Sequence, residues 1–209
     1  MEDVPQHPAD RRRPADRPDL ADHPDRLRWN AKYESGAGSR FAARPLAERA
    51  LARPLPDGPV LDLASGPSGS ALLAAQAGRR VTAVDISEVA LGRLLAEARR
   101  RGVEDLVTAV EADLGAWRPG PAAGHALVLC LGYWDRGLFG PAAAAVMPGG
   151  VLAWEAFTLD ARRDHPSLPT EWCLGPGEPA SLLPGGFTVL EETDVLSTGK
   201  RRLLAERRS

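Results

Sequence analysis

Cysteine and histidine are scarce in this 209-residue chain, and charge of one sign does not accumulate in it. The two cysteines, Cys130 and Cys173, form no CxxC pair and fit a reducing cytoplasm. Four scattered histidines offer no metal-ligand spacing, so no metal site is expected. A formal net charge of −2 makes no electrostatic case for nucleic acid or an anionic membrane as partner. No apolar stretch approaches the roughly 20 residues that span a bilayer. The opening residues also lack the basic-then-apolar pattern of a secretory signal, and a cytoplasmic location is expected. What remains, 44% hydrophobic and 26% charged residues, suits one soluble domain with a sizeable core and a tail.

The tail is residues 1–26, where Asp and Arg alternate with frequent proline and large apolar side chains are almost missing. Burial there cannot offset the entropy of folding, so the segment is expected to be disordered, with order beginning near Leu27. Residues 27–209 are read as one domain. Leu46, Ala50 and Leu51 share a helical face in "PLAERALAR" (45–53), which Pro54, Pro56 and Asp57-Gly58-Pro59 stop. Strands are expected at 60–63, 80–86, 106–113, 125–132 and 150–157. Helices are expected at 68–77, from Ser87 to Gly102, and at 137–146. In the second helix Leu91, Leu94, Leu95 and Ala98 keep the period, while Arg93, Glu97 and Arg101 read as a solvated face. "FTVLEE" (187–192) and "RRLLAER" (201–207) are joined too closely for a helical crossover and should form an antiparallel hairpin. Alternating strands and helices predict an α/β fold, a mostly parallel sheet with helices on both faces.

In such a sheet, ligands collect at the carboxyl ends of the central strands. Asp62, Asp85 and Asp113 fall at such ends. An acid ending the second strand can accept from both ribose hydroxyls of either NAD or S-adenosylmethionine. The turn after the first strand separates the two. A dinucleotide site wants G-x-G-x-x-G, with amides turned to a pyrophosphate. Here the chain reads Ala64-Ser65-Gly66-Pro67-Ser68-Gly69, and Pro67 has no N–H to offer. A sulfonium ligand without phosphate does not need those amides, so the turn favours S-adenosylmethionine over a dehydrogenase cofactor.

"VLDLASGPSG" (60–69), "VTAVDIS" (81–87) and "EAD" (111–113) resemble the first three motifs of class I S-adenosylmethionine-dependent methyltransferases. "MPGGVLAWEAFT" (147–158) resembles that family's entry into the fifth strand. "RWNAKYESG" (28–36), "GYWDRGLF" (132–139) and "WCLGPGE" (172–178) are similar to the small tellurite-resistance-type and thiopurine-methyltransferase-like subgroup. The resemblance implies a Rossmann-like, seven-stranded methyltransferase fold and a methyl donor, S-adenosylmethionine. It implies a small-molecule acceptor such as a thiol or chalcogen oxyanion, with monomer and homodimer both open. By position it implies a cofactor site of Trp29, Tyr33, Asp62, Ala64, Gly66, Ser68, Asp85, Ile86, Asp113, Leu114, Cys130 and Leu131. Gly66 would let backbone approach the methionine part, Asp85 would hold the ribose, and Asp113 would accept from the adenine amino group. Tyr133, Trp134 and Arg136 would line the acceptor site, with Asp135 as the one candidate general base. Two departures stand out: Ser68 replaces a usual glycine, and Asp135 stands where the subgroup often has His. A non-catalytic protein that only binds S-adenosylmethionine is the alternative these departures suggest.

Overall fold

The computed structural model describes residues 20–36, 40–120 and 124–209. Most of the expected tail, residues 1–19, lies outside the described residues. Helix α1 (Pro24–Glu34) starts three residues ahead of Leu27. A His23 ring nitrogen accepts from the Asp25 N–H there, and Pro24 sits in the first turn, where a missing N–H costs nothing. α2 (Pro45–Leu51) also opens on proline and buries Leu46, Ala47 and Ala50.

Strands β1 (Val60–Leu63), β2 (Val81–Asp85), β3 (Val107–Glu111), β4 (His125–Leu131), β5 (Val146–Phe157), β6 (Phe187–Val195) and β7 (Lys200–Arg207) form one sheet. Its order is β3-β2-β1-β4-β5-β7-β6. The first five strands are parallel, while β7 runs antiparallel to β5 and to β6. Successive strand residues point to opposite faces, so strands apolar at consecutive positions need a cover on both. Val60, Val81, Ala83, Leu127 and Leu129 pack on one face against Leu46 of α2, Leu72 of α3 (Gly69–Gln76) and Leu94 of α4 (Glu88–Arg100). Leu61, Leu63, Val84, Val128 and Cys130 pack on the other against Leu138, Phe139 and Ala142 of α5 (Arg136–Ala144). This is the expected Rossmann-like methyltransferase architecture.

Three details differ from the sequence reading. β5 starts at Val146 rather than 150, because His125 pairs with Val146 before a bulge lets Leu127 pair with Val151. The hairpin is longer than read, extended by Asp194, whose carboxylate takes a two-point grip from Arg201 at 2.5 and 2.8 Å. Glu97 is not on a solvated face: it is 8% exposed, clasped by Arg100 and Arg101 at 2.6 and 2.7 Å. Its carboxyl is held down near about 2 by those two hydrogen bonds. No helix among the described residues is long and apolar enough to cross a membrane.

The chain winds outward from β1 through β2 to β3, then returns to lay β4 on the other side of β1. That reversal opens a crevice at the carboxyl ends of β1 and β4.

Candidate functional site

A cavity of about 640 Å³ occupies this crevice. Its floor is the turn after β1. Ala64 takes a left-handed φ of 49°, and Gly66 one of 57°. The side chain Gly66 lacks is accounted for from above: a Cβ there would lie 2.6 Å from the Tyr33 hydroxyl. The turn has no amide to spare at four consecutive positions. Ser65 N–H donates to Val84 O, Gly66 N–H to the Asp85 carboxylate at 2.7 Å, and Ser68 N–H to Gly66 O. Pro67 has none. Residues 65–68 thus offer a pyrophosphate no free backbone donor, which weighs against the dehydrogenase reading on geometry as well as sequence.

Asp85, 6% exposed, ends β2. One oxygen accepts from Gly66 N–H and the other from Ser87 N–H at 2.9 Å. A carboxylate offers about four acceptor positions, so these N–H groups do not exhaust Asp85, which also lines the cavity. Burial pushes its pKa up, opposed by the N–H groups of Ser87, Gly66 and Ile86. Asp62, 2% exposed inside β1, accepts from the Ser68 hydroxyl at 2.6 Å. Burial carries its pKa up to about 7, against the Ser68 bond and with the Asp85 charge adding to the rise. Ser68 also caps α3, its oxygen accepting from Ala71 N–H at 3.0 Å. The departure at Ser68 is therefore a built contact between the buried acid and the helix.

Past β3, Asp113 lines the cavity while its Oδ1 holds Gly115 N–H at 2.8 Å. Ile86 and Leu114 supply apolar wall, as do Leu131 and the Tyr133 ring. α1 forms the roof. Trp29 and Tyr33 stack at 5.9 Å, and burial followed by the Asp85 charge pushes the Tyr33 phenol up to about 12. The helix is tied to α4 by Ser87 Oγ donating to Asn30 at 2.6 Å and by Arg26 on Glu88, and to β3 by Arg26 on Glu111.

The cavity thus brings together Trp29, Tyr33, Asp62, Ala64, Ser68, Asp85, Ile86, Asp113, Leu114, Leu131 and Tyr133 of the expected residues. Five others do not line it. Gly66 turns its N–H to Asp85 and lies under Tyr33. Cys130 is fully buried with its thiol donating to Tyr133 O; burial first, then Asp62, pushes that thiol's pKa well up. Trp134 packs edge-on against Trp154 inside the core. Arg136 pairs with Glu178. Asp135 is the N-cap of α5, accepting from Gly137 and Leu138 N–H at 2.6 and 3.2 Å. The general-base role expected of it has no support in this placement.

The sequence reading missed the cationic side of the cavity: Lys32, Arg40, Arg44 and Lys200. Arg44 reaches it because residues 41–42 lie hard against Gly69, where a Cβ would meet Phe41 O at 2.3 Å, and Arg44 N–H donates to Ser70 Oγ at 3.1 Å. Lys200 arrives at the start of β7, opposite Phe157.

Residues 60–150 match the family model of a methyltransferase domain. No curated protein matches the chain in sequence. Among solved structures the chain is similar to the 1,6-didemethyltoxoflavin-N1-methyltransferase of Burkholderia thailandensis, seen with 1,6-didemethyltoxoflavin and S-adenosylhomocysteine bound. That match has 21% identity and a TM-score of 0.62, over 88% of this chain and 87% of the other. It is also similar to an S-adenosylmethionine-dependent methyltransferase of Geobacter sulfurreducens in complex with S-adenosylhomocysteine. There the identity is 25% and the TM-score 0.58, over 79% and 73% of the two chains. The [4+2]-cyclase SpnF shares the fold at 15% identity and a TM-score of 0.58, over 78% of each chain.

Proposed function

We propose that the chain, which carries a class I S-adenosylmethionine-dependent methyltransferase domain, moves a methyl group from S-adenosylmethionine to a soft nucleophile on a small molecule. Thiols and chalcogen oxyanions are the acceptors it suits. One observation carries the reading: Asp85, a buried carboxylate at the end of β2, lines the cavity with acceptor capacity to spare, beside a turn whose Ser65, Gly66 and Ser68 amides are used internally. That capacity suits the paired hydroxyls of a ribose, and residues 65–68 offer little to a phosphate. Ile86 and Leu114 would flank the adenine, Asp113 would take its amino group, and Asp62 with Ser68 would face the methionine ammonium. The bound donor supplies a methyl carbon on sulfonium, so an attacking lone pair forms the new bond as the carbon–sulfur pair leaves onto neutral sulfur.

For the remaining work the chain needs position more than proton transfer. Alignment of two reactants can contribute roughly 7–11 kcal/mol in favourable cases. The roof of α1 and the wall at Leu131 and Tyr133 close the acceptor in against the donor. The groups at that end are cations and a phenol, Tyr133, whose pKa burial, and then the Asp135 charge, pushes up. Such a lining favours an acceptor that arrives already ionised. Incubation with S-adenosylmethionine and a panel of thiols and oxyanions should yield S-adenosylhomocysteine in step with methylated product. Tight donor binding with no turnover on any member would leave a binding protein, and the cyclase on this fold makes that assay necessary.

A further inference from the structure

The rim of the sheet is divided by charge. Asp113, Asp85 and Asp62 lie on the half made by β3, β2 and β1. On the half made by β4, β5 and β7, cations gather around one buried carboxylate. Glu155 of β5 is 2% exposed. Its Oε1 is shared by Arg44 and Lys200, each at 3.3 Å, and Arg202 holds Oε2 at 2.6 Å. Among the described residues it is the one carboxylate that any of the three touches. Arg44 and Lys200 also line the cavity, where Gly132 follows β4 beneath them. A Cβ on Gly132 would lie 3.5 Å from an Arg44 nitrogen and 3.9 Å from Lys200 Nζ. Lys32 and Arg40 add two more cations to the lining.

At Glu155 one carboxylate therefore faces three cations directly, and Lys32 and Arg40 line the same cavity. S-adenosylmethionine does not correct the imbalance, because its sulfonium and ammonium outnumber its single carboxylate. Like charges gathered without enough counter-charge are unfavourable, and more so where water is partly excluded. Burial is the first influence on both ammonium groups, and the neighbouring cations add to it. Lys200 is pulled below its usual pKa by burial, against Glu155 and with Arg44 adding to the fall. Lys32 is lowered by burial and then by Arg28, Arg44 and Lys200.

We propose that the β4–β5–β7 end of the cavity is an acceptor subsite for a small organic anion, recognised through its carboxylate or equivalent oxyanion by Lys200 and Arg44. Glu155 is the positioning residue. It fixes both head groups at the floor by Gly132 and leaves their remaining N–H donors for the ligand. The subsite rests on the methyl-transfer reading, since that reading puts the acceptor at this end. Its ligand is distinguished from the donor's own carboxylate by working on protein already filled with S-adenosylhomocysteine.

The test is calorimetry on the full chain saturated with S-adenosylhomocysteine, using matched probes: benzoate with benzamide, and mercaptoacetate with mercaptoacetamide. The charged member of at least one pair should bind about tenfold tighter than its neutral partner, the effect of about 1.4 kcal/mol. Lys200→Gln should erase that preference while S-adenosylhomocysteine affinity stays within about threefold, well under such a step. Arg44→Gln, a partly exposed site, is the second variant if Lys200→Gln lowers the melting temperature enough to impair folding. Equal binding of charged and neutral probes in every pair, or no binding of any probe, overturns the subsite. So does a variant that loses S-adenosylhomocysteine affinity but keeps the probe preference, because the cations would then serve the donor. Failure of the wild type to bind S-adenosylhomocysteine at all is a different result, and it overturns the methyl-transfer reading itself.

Discussion

At the scale of single residues, the two buried acids carry separable predictions. Asp85 holds the turn through Gly66 and the α4 entry through Ser87, and it has acceptor capacity left for a ribose. A hydrogen bond to a charged group is worth roughly 1.5–3 kcal/mol, so Asp85→Ala should cost about tenfold or more in S-adenosylhomocysteine affinity. Calorimetry reads this directly, and an unchanged affinity would remove adenosine from the end of β2. Asp62 predicts a dependence on pH. Its folded pKa, up to about 7, lies above the ordinary 3.8, so the folded chain keeps the proton longer than the unfolded one. The stability linked to Asp62 is thus full below the ordinary value, falls as pH rises through the interval, and is gone above the folded value. Each unit is about 1.4 kcal/mol, so Asp62→Asn should gain on the parent by up to about 4 kcal/mol between pH 4 and pH 8. Parallel urea-melt stabilities for the two proteins across that range would show that Asp62 folds ionised.

At the scale of elements, Asp135 carries two readings. Next to "GYW" and ahead of an acceptor site, an acid reads as a base, yet Asp followed by a helical run is also the plainest of N-cap signals. The structure shows the cap, with the carboxylate on Gly137 and Leu138 N–H. Asp135→Ala should lower stability by about 1 kcal/mol, the usual worth of a cap, and Asp135→Ser should recover most of it. Turnover per folded molecule should not change; a collapse of turnover with the melting temperature preserved would restore the base. The strands and their acids were legible because each is set by its own few residues: an apolar run, then an acid, then a turn. The cationic wall was not. Arg44, Glu155 and Lys200 are far apart in sequence and meet through the register of β7 on β5 and the seating of residues 41–42 on Gly69. No spacing along the chain announces such a meeting. Pairing of β7 antiparallel to β5 puts Lys200 beside Phe157 at the same rim as the carboxyl ends of the parallel strands, and sequence alone predicts the hairpin without its register.

At the scale of the whole molecule, stability and function are distributed unequally. The sheet and α2 to α5 own the apolar core, while α1 buries only Asn30 among its eleven residues. What holds α1 is polar: Ser87 on Asn30, and Arg26 on the partly exposed Glu88 and Glu111. Partly exposed ion pairs such as those of Arg26 are worth about 0–1 kcal/mol each, far less than a packed helix face. Yet α1 supplies Trp29, Lys32 and Tyr33 to the roof of the cavity. An element that is weakly held but lines the site opens at low free energy, and a ligand that needs it closed must stabilise it. Hydrogen exchange should therefore find residues 24–34 exchanging far faster than β1, β4 and α3 in the free protein. Addition of S-adenosylhomocysteine should slow them by a larger factor than any other helix. Breaking the tether with Arg26→Ala should speed exchange in the free protein and weaken the ligand by a factor no larger than that speeding, since both report one opening equilibrium. If α1 is as protected as α3 without ligand, its hold on the domain is not the polar one described, and the roof is a fixed wall.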